Sequence, residues 1–123
     1  MPDNEKIILI IDDEEGSRDL VKSFLEDREY RAVATPSGRE GIGVIQAGNT
    51  GLVLLDMRMP EMNGLDILTE LKNNNISANV YLMTGVDEGE ELEKARALGI
   101  KGVLKKPINM SELSKIVKES IGR

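Results

Sequence analysis

The 123-residue chain has no cysteine, no histidine and no tryptophan, and only 2% of its residues are aromatic. Each absence removes a class of chemistry. Without cysteine there is no disulfide scaffold, no thiolate metal site and no sulfur nucleophile. Without histidine the commonest general base and the usual zinc ligand are gone, and no phosphohistidine can form on this chain. No apolar run approaches the roughly 18 residues of a membrane span, and the N-terminus lacks a signal-peptide pattern. Lys and Arg number 16 against 22 Asp and Glu, a net charge of -6. That balance argues against nucleic acid as a direct partner, because phosphates need clustered cations.

What is present is aliphatic: hydrophobic residues make up 40% of the chain, enough for a packed core with few rings. The expectation is one acidic, cytoplasmic domain over residues 1–123, with residues 1–5 a loose polar start. Its chemistry must come from carboxylates, hydroxyls, lysines and backbone.

Short apolar runs at Ile7 to Ile11, Tyr30 to Ala34, Leu52 to Leu55, Val80 to Met83 and Gly102 to Leu104 predict buried strands. The first has no polar residue, as expected of a strand covered on both faces. Between them lie helical stripes: Leu20, Val21, Phe24 and Leu25; then Leu65, Leu68 and Leu71; then Leu113, Ile116, Val117 and Ile121. Two weaker helices are predicted, from Ser37 to Ala47 despite Gly41 and Gly43, and from Glu88 to Leu98 with Gly99 as its stop. Five strands alternating with five helices imply an α/β fold, a doubly wound five-stranded parallel sheet of order 2-1-3-4-5. In that architecture ligands bind beyond the carboxyl ends of the strands.

Asp12 and Asp13 follow the first predicted strand, Asp56 the third, Thr84 the fourth, and Lys105, Lys106 and Pro107 the fifth. Each has a local explanation. Asp13 could cap the first helix, and Asp56, Thr84-Gly85 and Lys106-Pro107 could be turn residues, Pro107 fixing a turn or a cis peptide. Their conjunction on one sheet edge is harder to explain locally. Three converging carboxylates repel and recruit a proton or a cation. Lys106 offsets one charge and a divalent ion the other two. Oxygen-only donors select Mg²⁺ or Mn²⁺. Such a site suits phosphoryl chemistry, with a strand-end carboxylate as nucleophile.

The motifs Ile-Ile-Asp12-Asp13-Glu14, Leu-Leu-Asp56-Met-Arg-Met-Pro60-Glu-Met-Asn-Gly64, Leu-Met-Thr84-Gly85 and Lys106-Pro107 stand in an order and spacing that resembles the receiver domain of two-component response regulators. The resemblance covers nearly the whole chain and implies a flavodoxin-like fold. It implies that Asp56 is the phosphoacceptor, and that Asp13, Asp56, Asp12 acting mainly through water, and the backbone carbonyl of Arg58 serve a Mg²⁺ ion. Thr84 and Lys106 would contact the phosphoryl group, Gly85 would leave room beside Asp56, and Arg58 and Val86 would tune the lifetime of the phosphorylated state. The implied donor is a histidine kinase or a histidine phosphotransfer protein docking around the first helix and the Pro107 loop. The implied output partner uses the face of the fourth and fifth helices; neither membrane nor nucleic acid is implied.

The pattern departs from the family at Val103, where most receivers carry a Tyr or Phe that changes rotamer on activation, and at Ile108, where Phe is frequent. A valine has no ring to swing, so the departure bears on how a signal leaves the domain. It also keeps open a phosphorylation-independent adaptor. A Mg²⁺-dependent phosphohydrolase with an Asp nucleophile commonly has an acid two residues later, but Arg58 stands there and cannot donate a proton as one. The fourth helix is charge-rich with few apolar anchors. It reads either as a solvated face or as an element of low local stability that redocks readily.

Overall fold

Burial on both faces accounts for the wholly apolar β1 (Ile7–Ile11), whose Ile8, Leu9, Ile10 and Ile11 are completely inaccessible. The computed structural model describes residues 6–85 and 89–122; the expected loose start over residues 1–5 and the Val86 position lie outside the described residues. After β1 come α1 (Glu15–Asp27), β2 (Arg31–Thr35), α2 (Gly38–Ala47), β3 (Thr50–Asp56), α3 (Gly64–Asn73), β4 (Val80–Thr84), α4 (Glu90–Ala97), β5 (Gly102–Lys105) and α5 (Met110–Ile121). The strands form one sheet of order β2-β1-β3-β4-β5, and every pairing is parallel. This is the predicted doubly wound architecture.

Strand side chains alternate between faces, and the core divides accordingly. Leu9, Ile11, Val53, Leu55 and Leu82 pack with residues of α2, α3 and α4, including Ile42, Ile67, Leu71 and Ala95. Ile8, Ile10, Leu54, Met83 and Leu104 pack with Val21 and Leu25 of α1 and with Leu113 and Val117 of α5. Ile108 packs against this second cluster. No helix among the described residues is long and apolar enough to cross a membrane.

The helices differ in how firmly they are fixed. Asn63 opens α3 with a capping box, accepting from the Asp66 N–H while the Asp66 carboxylate accepts from its own. Gly41 lets α2 press onto β1, since a Cβ there would lie 2.4 Å from Cδ1 of Ile11; at Gly43 nothing lies within 4 Å. By contrast α4 begins at Gly89 without a side-chain cap, and Ala95 is its one buried residue.

One reading of the helical stripes needs correcting, and another is extended. Leu20 is 59% exposed and lies outside the core; Val21 and Leu25, one turn apart, supply the buried seam of α1, and Leu20 falls on its flank. In α3 the fully buried Ile67 joins Leu68 and Leu71, whereas Leu65 is half-buried. The strands also extend further at their carboxyl ends than the apolar runs suggest. Asp56, Thr84 and Lys105 are the last residues of β3, β4 and β5.

Candidate functional site

The site is built from the carboxyl ends of β1, β3, β4 and β5. The Asp12 N–H donates to the Thr35 carbonyl (3.1 Å), which carries the β1–β2 pairing one residue further and fixes the Asp12 backbone. Its Oδ1 accepts from the Glu14 N–H at 3.0 Å, and its carbonyl accepts from the Arg18 guanidinium at 2.9 Å. The local alternative for Asp13, a helix cap, does not hold: Glu14 is the N-cap residue of α1 without a side-chain bond, the carboxylate serving the entry to that helix is Asp12's, and Asp13 is exposed.

Asp56 ends β3 and is 6% exposed. Behind it the Met57 N–H donates to the Met83 carbonyl, and the Met57 carbonyl accepts from Gly64 N–H, both at 3.0 Å. Gly64 permits that approach, because a Cβ there would lie 3.2 Å from the Met57 Cα. The loop is thus held on both sides, and the Arg58 N–H reaches Oδ1 of Asp56 at 3.3 Å. Thr84, 2% exposed, ends β4, and its carbonyl accepts from the Lys106 N–H at 2.8 Å. This bond brings Lys106 to the sheet edge, where Nζ lies 3.0 Å from Oδ2 of Asp12, 3.6 Å from Oδ2 of Asp56 and 3.8 Å from Oε1 of Glu14. One oxygen from each of Asp12, Asp13 and Asp56 lies within 4.8 Å of the others.

Charge and burial act differently on each group. Burial pushes Asp56 up to about 7; the Lys106 ammonium opposes that rise and the neighbouring Asp12 carboxylate adds to it. Burial would raise Asp12 as well, but hydrogen bonds from the Glu14 N–H, Lys106 and Ser17 bring it below the ordinary carboxylate value. Lys106 loses hydration by burial, yet the Asp12 hydrogen bond and the charges of Asp56 and Asp12 raise it above the usual lysine value, so it stays an ammonium. Three carboxylates facing one ammonium leave an excess of negative charge. Asp12, Asp13 and Asp56 are placed to bind a metal, and their oxygen-only donor set fits a hard divalent cation.

The sequence model of the response regulator receiver domain matches residues 8–118. The chain belongs to this family. A curated relative of this receiver domain, response regulator SaeR of Staphylococcus aureus, is 31% identical over 106 residues, which are 86% of this chain and 46% of SaeR. The receiver chain thus spans about half the length of the curated relatives it matches. A two-component response regulator from Clostridium difficile shares 25% identity with a TM-score of 0.86, over 97% of this chain and 98% of that one. A CheY-like receiver domain protein from Methanospirillum hungatei shares 26% identity with a TM-score of 0.86, over 96% and 94% of the two chains. Membership makes this a signalling domain of two-component systems rather than a classical enzyme.

The receiver fold brings Asp12, Asp13, Asp56, Thr84 and Lys106 to one edge, and leaves Lys105 exposed. Gly85 is exposed, with nothing within 4 Å of the place a Cβ would take. The Lys106–Pro107 peptide is cis. Val103 is half-buried on β5, in register with Leu82. Three features escaped the sequence reading. Glu14 joins the Lys106 cluster; its place in the acidic run after β1 was the available signal. Arg18 holds the Asp12 carbonyl. Arg58 reaches α4, its guanidinium donating to Oε1 of Glu91 at 3.0 Å, and a separation of 33 residues carries no sequence signal.

Proposed function

We propose that this receiver domain accepts a phosphoryl group on Asp56, holds it for a finite time, and loses it to water. The observation that carries the reading is the unequal engagement of the three carboxylates. Both oxygens of Asp12 are hydrogen-bonded, one to the Glu14 N–H and one to Lys106. Asp13 is exposed. Asp56 accepts a long bond from the Arg58 N–H at 3.3 Å, lies beside the Asp12 carboxylate, and has its Oδ2 3.6 Å from the ammonium. It is therefore the least constrained of the buried carboxylates and, at about 7, the most basic. Basicity and freedom are what a nucleophile needs.

In the transfer an Asp56 oxygen forms a bond to phosphorus while the bond from phosphorus to the donor nitrogen breaks. The electron pair of that bond stays on the imidazole, which takes up a proton. The donor is a phosphohistidine on a kinase or phosphotransfer protein, a residue this chain itself lacks. Lys106 balances charge on the transferred oxygens, and the hydroxyl of Thr84, the last residue of β4, follows them. Asp12, Asp13, Asp56 and the Arg58 carbonyl would hold Mg²⁺ or Mn²⁺, which supplies charge neutralisation on the phosphoryl oxygens. In hydrolysis, water attacks phosphorus, the bond to Asp56 breaks, and inorganic phosphate leaves with the carboxylate restored. The protein donor docks in a cavity of about 500 Å³ beside Lys106, lined by Ser17, Leu20, Val21, Pro107 and Ile108. The exposed Leu20 supplies an apolar anchor there.

Incubation with a small acyl-phosphate donor and Mg²⁺, followed by intact-mass measurement, tests the reading. The expected result is a single phosphoryl adduct on the native protein and none on Asp56→Asn. An equal adduct on both proteins would refute it.

A further inference from the structure

Arg58 touches two places that a phosphorylation switch must connect. Its backbone N–H donates to Oδ1 of Asp56 at 3.3 Å, and its guanidinium donates to Oε1 of Glu91, in the first turn of α4, at 3.0 Å. The backbone end is firmly placed: the preceding Met57 is 1% exposed and bonded through its N–H to Met83 and through its carbonyl to Gly64. The far end sits on the least anchored helix. Gly89 opens α4 without a side-chain cap, and Ala95 alone is buried along its eight residues. Little apolar area holds that helix to the sheet, so its docking stands near the low end of local stability. An ion pair there shifts a shallow equilibrium, whereas on a well-packed helix it would be negligible.

We propose that Arg58 is a tether between the Asp56 site and α4, so that occupation of the site and the docking of the first turn of α4 are linked through the Arg58–Glu91 ion pair. The inference rests on Asp56 being the phosphoacceptor. Any group bound at Asp56 Oδ1 competes with the Arg58 N–H and shifts the Arg58 backbone. The side chain passes that shift to Glu91. By linkage, a change in α4 docking alters affinity at Asp56 by the same factor.

The test uses amide hydrogen exchange of α4, with Mg²⁺ and beryllofluoride as the probe of the site. Five proteins are compared: native, Arg58→Ala, Glu91→Ala, the double alanine variant and the charge swap. An exposed pair predicts α4 exchange about 1.5- to 5-fold faster in either single variant, with the double variant no faster than the singles. In the native protein beryllofluoride changes α4 exchange, in Arg58→Ala it does not, and the charge swap Arg58→Glu with Glu91→Arg restores the response. Beryllofluoride binding at Asp56 without an α4 response, or with the same response in Arg58→Ala, overturns the tether and leaves the phosphoacceptor reading standing. Additive effects of the two single variants also overturn it. Failure of beryllofluoride to bind the native protein overturns both.

Discussion

The ammonium of Lys106 lies 3.0 Å from Oδ2 of Asp12, a residue 94 positions away in the chain. The pair joins the end of β1 to the loop after β5, over the ends of β3 and β4 that lie between them in the sheet. It also spends its charge unevenly, binding Asp12 closely and Asp56 at a longer 3.6 Å. Asp12 is thereby kept ionised, while burial keeps Asp56 basic against the weaker pull of the ammonium.

Removing that ammonium has two effects of predictable sign. In Lys106→Met, Asp56 loses the charge that opposes its rise, so its pKa moves further above about 7. The buried Asp12 loses its partner. Phosphorylation by a small acyl-phosphate donor slows about 100-fold, the scale for losing one preorganised charge beside a transferring group. Stopped-flow or quenched mass measurements give the rate; an unchanged rate would show that Lys106 serves the fold alone.

Stability in the absence of metal depends on pH in an unusual direction for a carboxylate. Asp56 stands at about 7 in the fold against 3.8 ordinarily, so its contribution is complete below the ordinary value and disappears as pH rises through the folded one. Asp12, held below 3.8, acts oppositely, and its contribution is lost only in more acidic solution. Between about pH 4 and about pH 8 the metal-free native protein loses stability through Asp56, by at most about 4 kcal/mol. Asp56→Asn removes that slope and is the more stable protein at the upper end. Thermal melts of both proteins across the range read the difference, and parallel curves would contradict it.

Much of this was legible in the sequence, and for identifiable reasons. A strand buried on both faces is wholly apolar, so Ile7 to Ile11 announced itself, and the β–α alternation then restricts the topology severely. The site residues were legible because the architecture names the places to look: the residues ending or following β1, β3, β4 and β5. Leu20 misled because α1 buries a narrow seam and an apolar residue on its flank fits the same periodicity. The cap of α1 misled because Asp12 and Asp13 are adjacent carboxylates, and spacing alone does not say which one accepts the Glu14 N–H. The Arg58–Glu91 pair depends on where the loop after β3 and α4 lie in space, which no local pattern encodes.

Mg²⁺ binding separates from folding at Asp13. Its side chain is exposed and forms none of the bonds that fix the site, so Asp13→Asn changes metal-free stability by no more than about 0.5 kcal/mol. In the native protein Mg²⁺ at 100 times its dissociation constant adds about 2.7 kcal/mol. Asp13→Asn loses most of that gain. Melts with and without Mg²⁺ measure both, and an undiminished gain would place the ion elsewhere.

Leu20 tests the docking groove. Truncation to Ala at a 59% exposed position leaves the core intact, so phosphorylation by a small donor is unchanged. Transfer from a phosphohistidine protein slows about 5- to 30-fold, about 1–2 kcal/mol for losing an apolar anchor. Equal slowing with both donors would mean that the substitution disturbs the Lys106 loop instead.

Two glycines of α2 predict opposite outcomes from one substitution. Gly43→Ala has open space and stabilises the helix by about 1 kcal/mol. Gly41→Ala drives a methyl to 2.4 Å from the Ile11 side chain and destabilises by about 1–3 kcal/mol. Denaturant titrations of the pair resolve them, and similar midpoints would contradict the packing described for α2 on β1.

The central claim, that Asp56 is the phosphoacceptor, is tested most directly by borohydride reduction of the phosphorylated protein. Reduction converts an aspartyl phosphate to homoserine, and peptide mass mapping locates it. Homoserine at position 56 and at no other aspartate is the predicted result. Homoserine at position 12 or 13, or a phosphoryl group that survives reduction as a serine or threonine ester, would contradict the assignment.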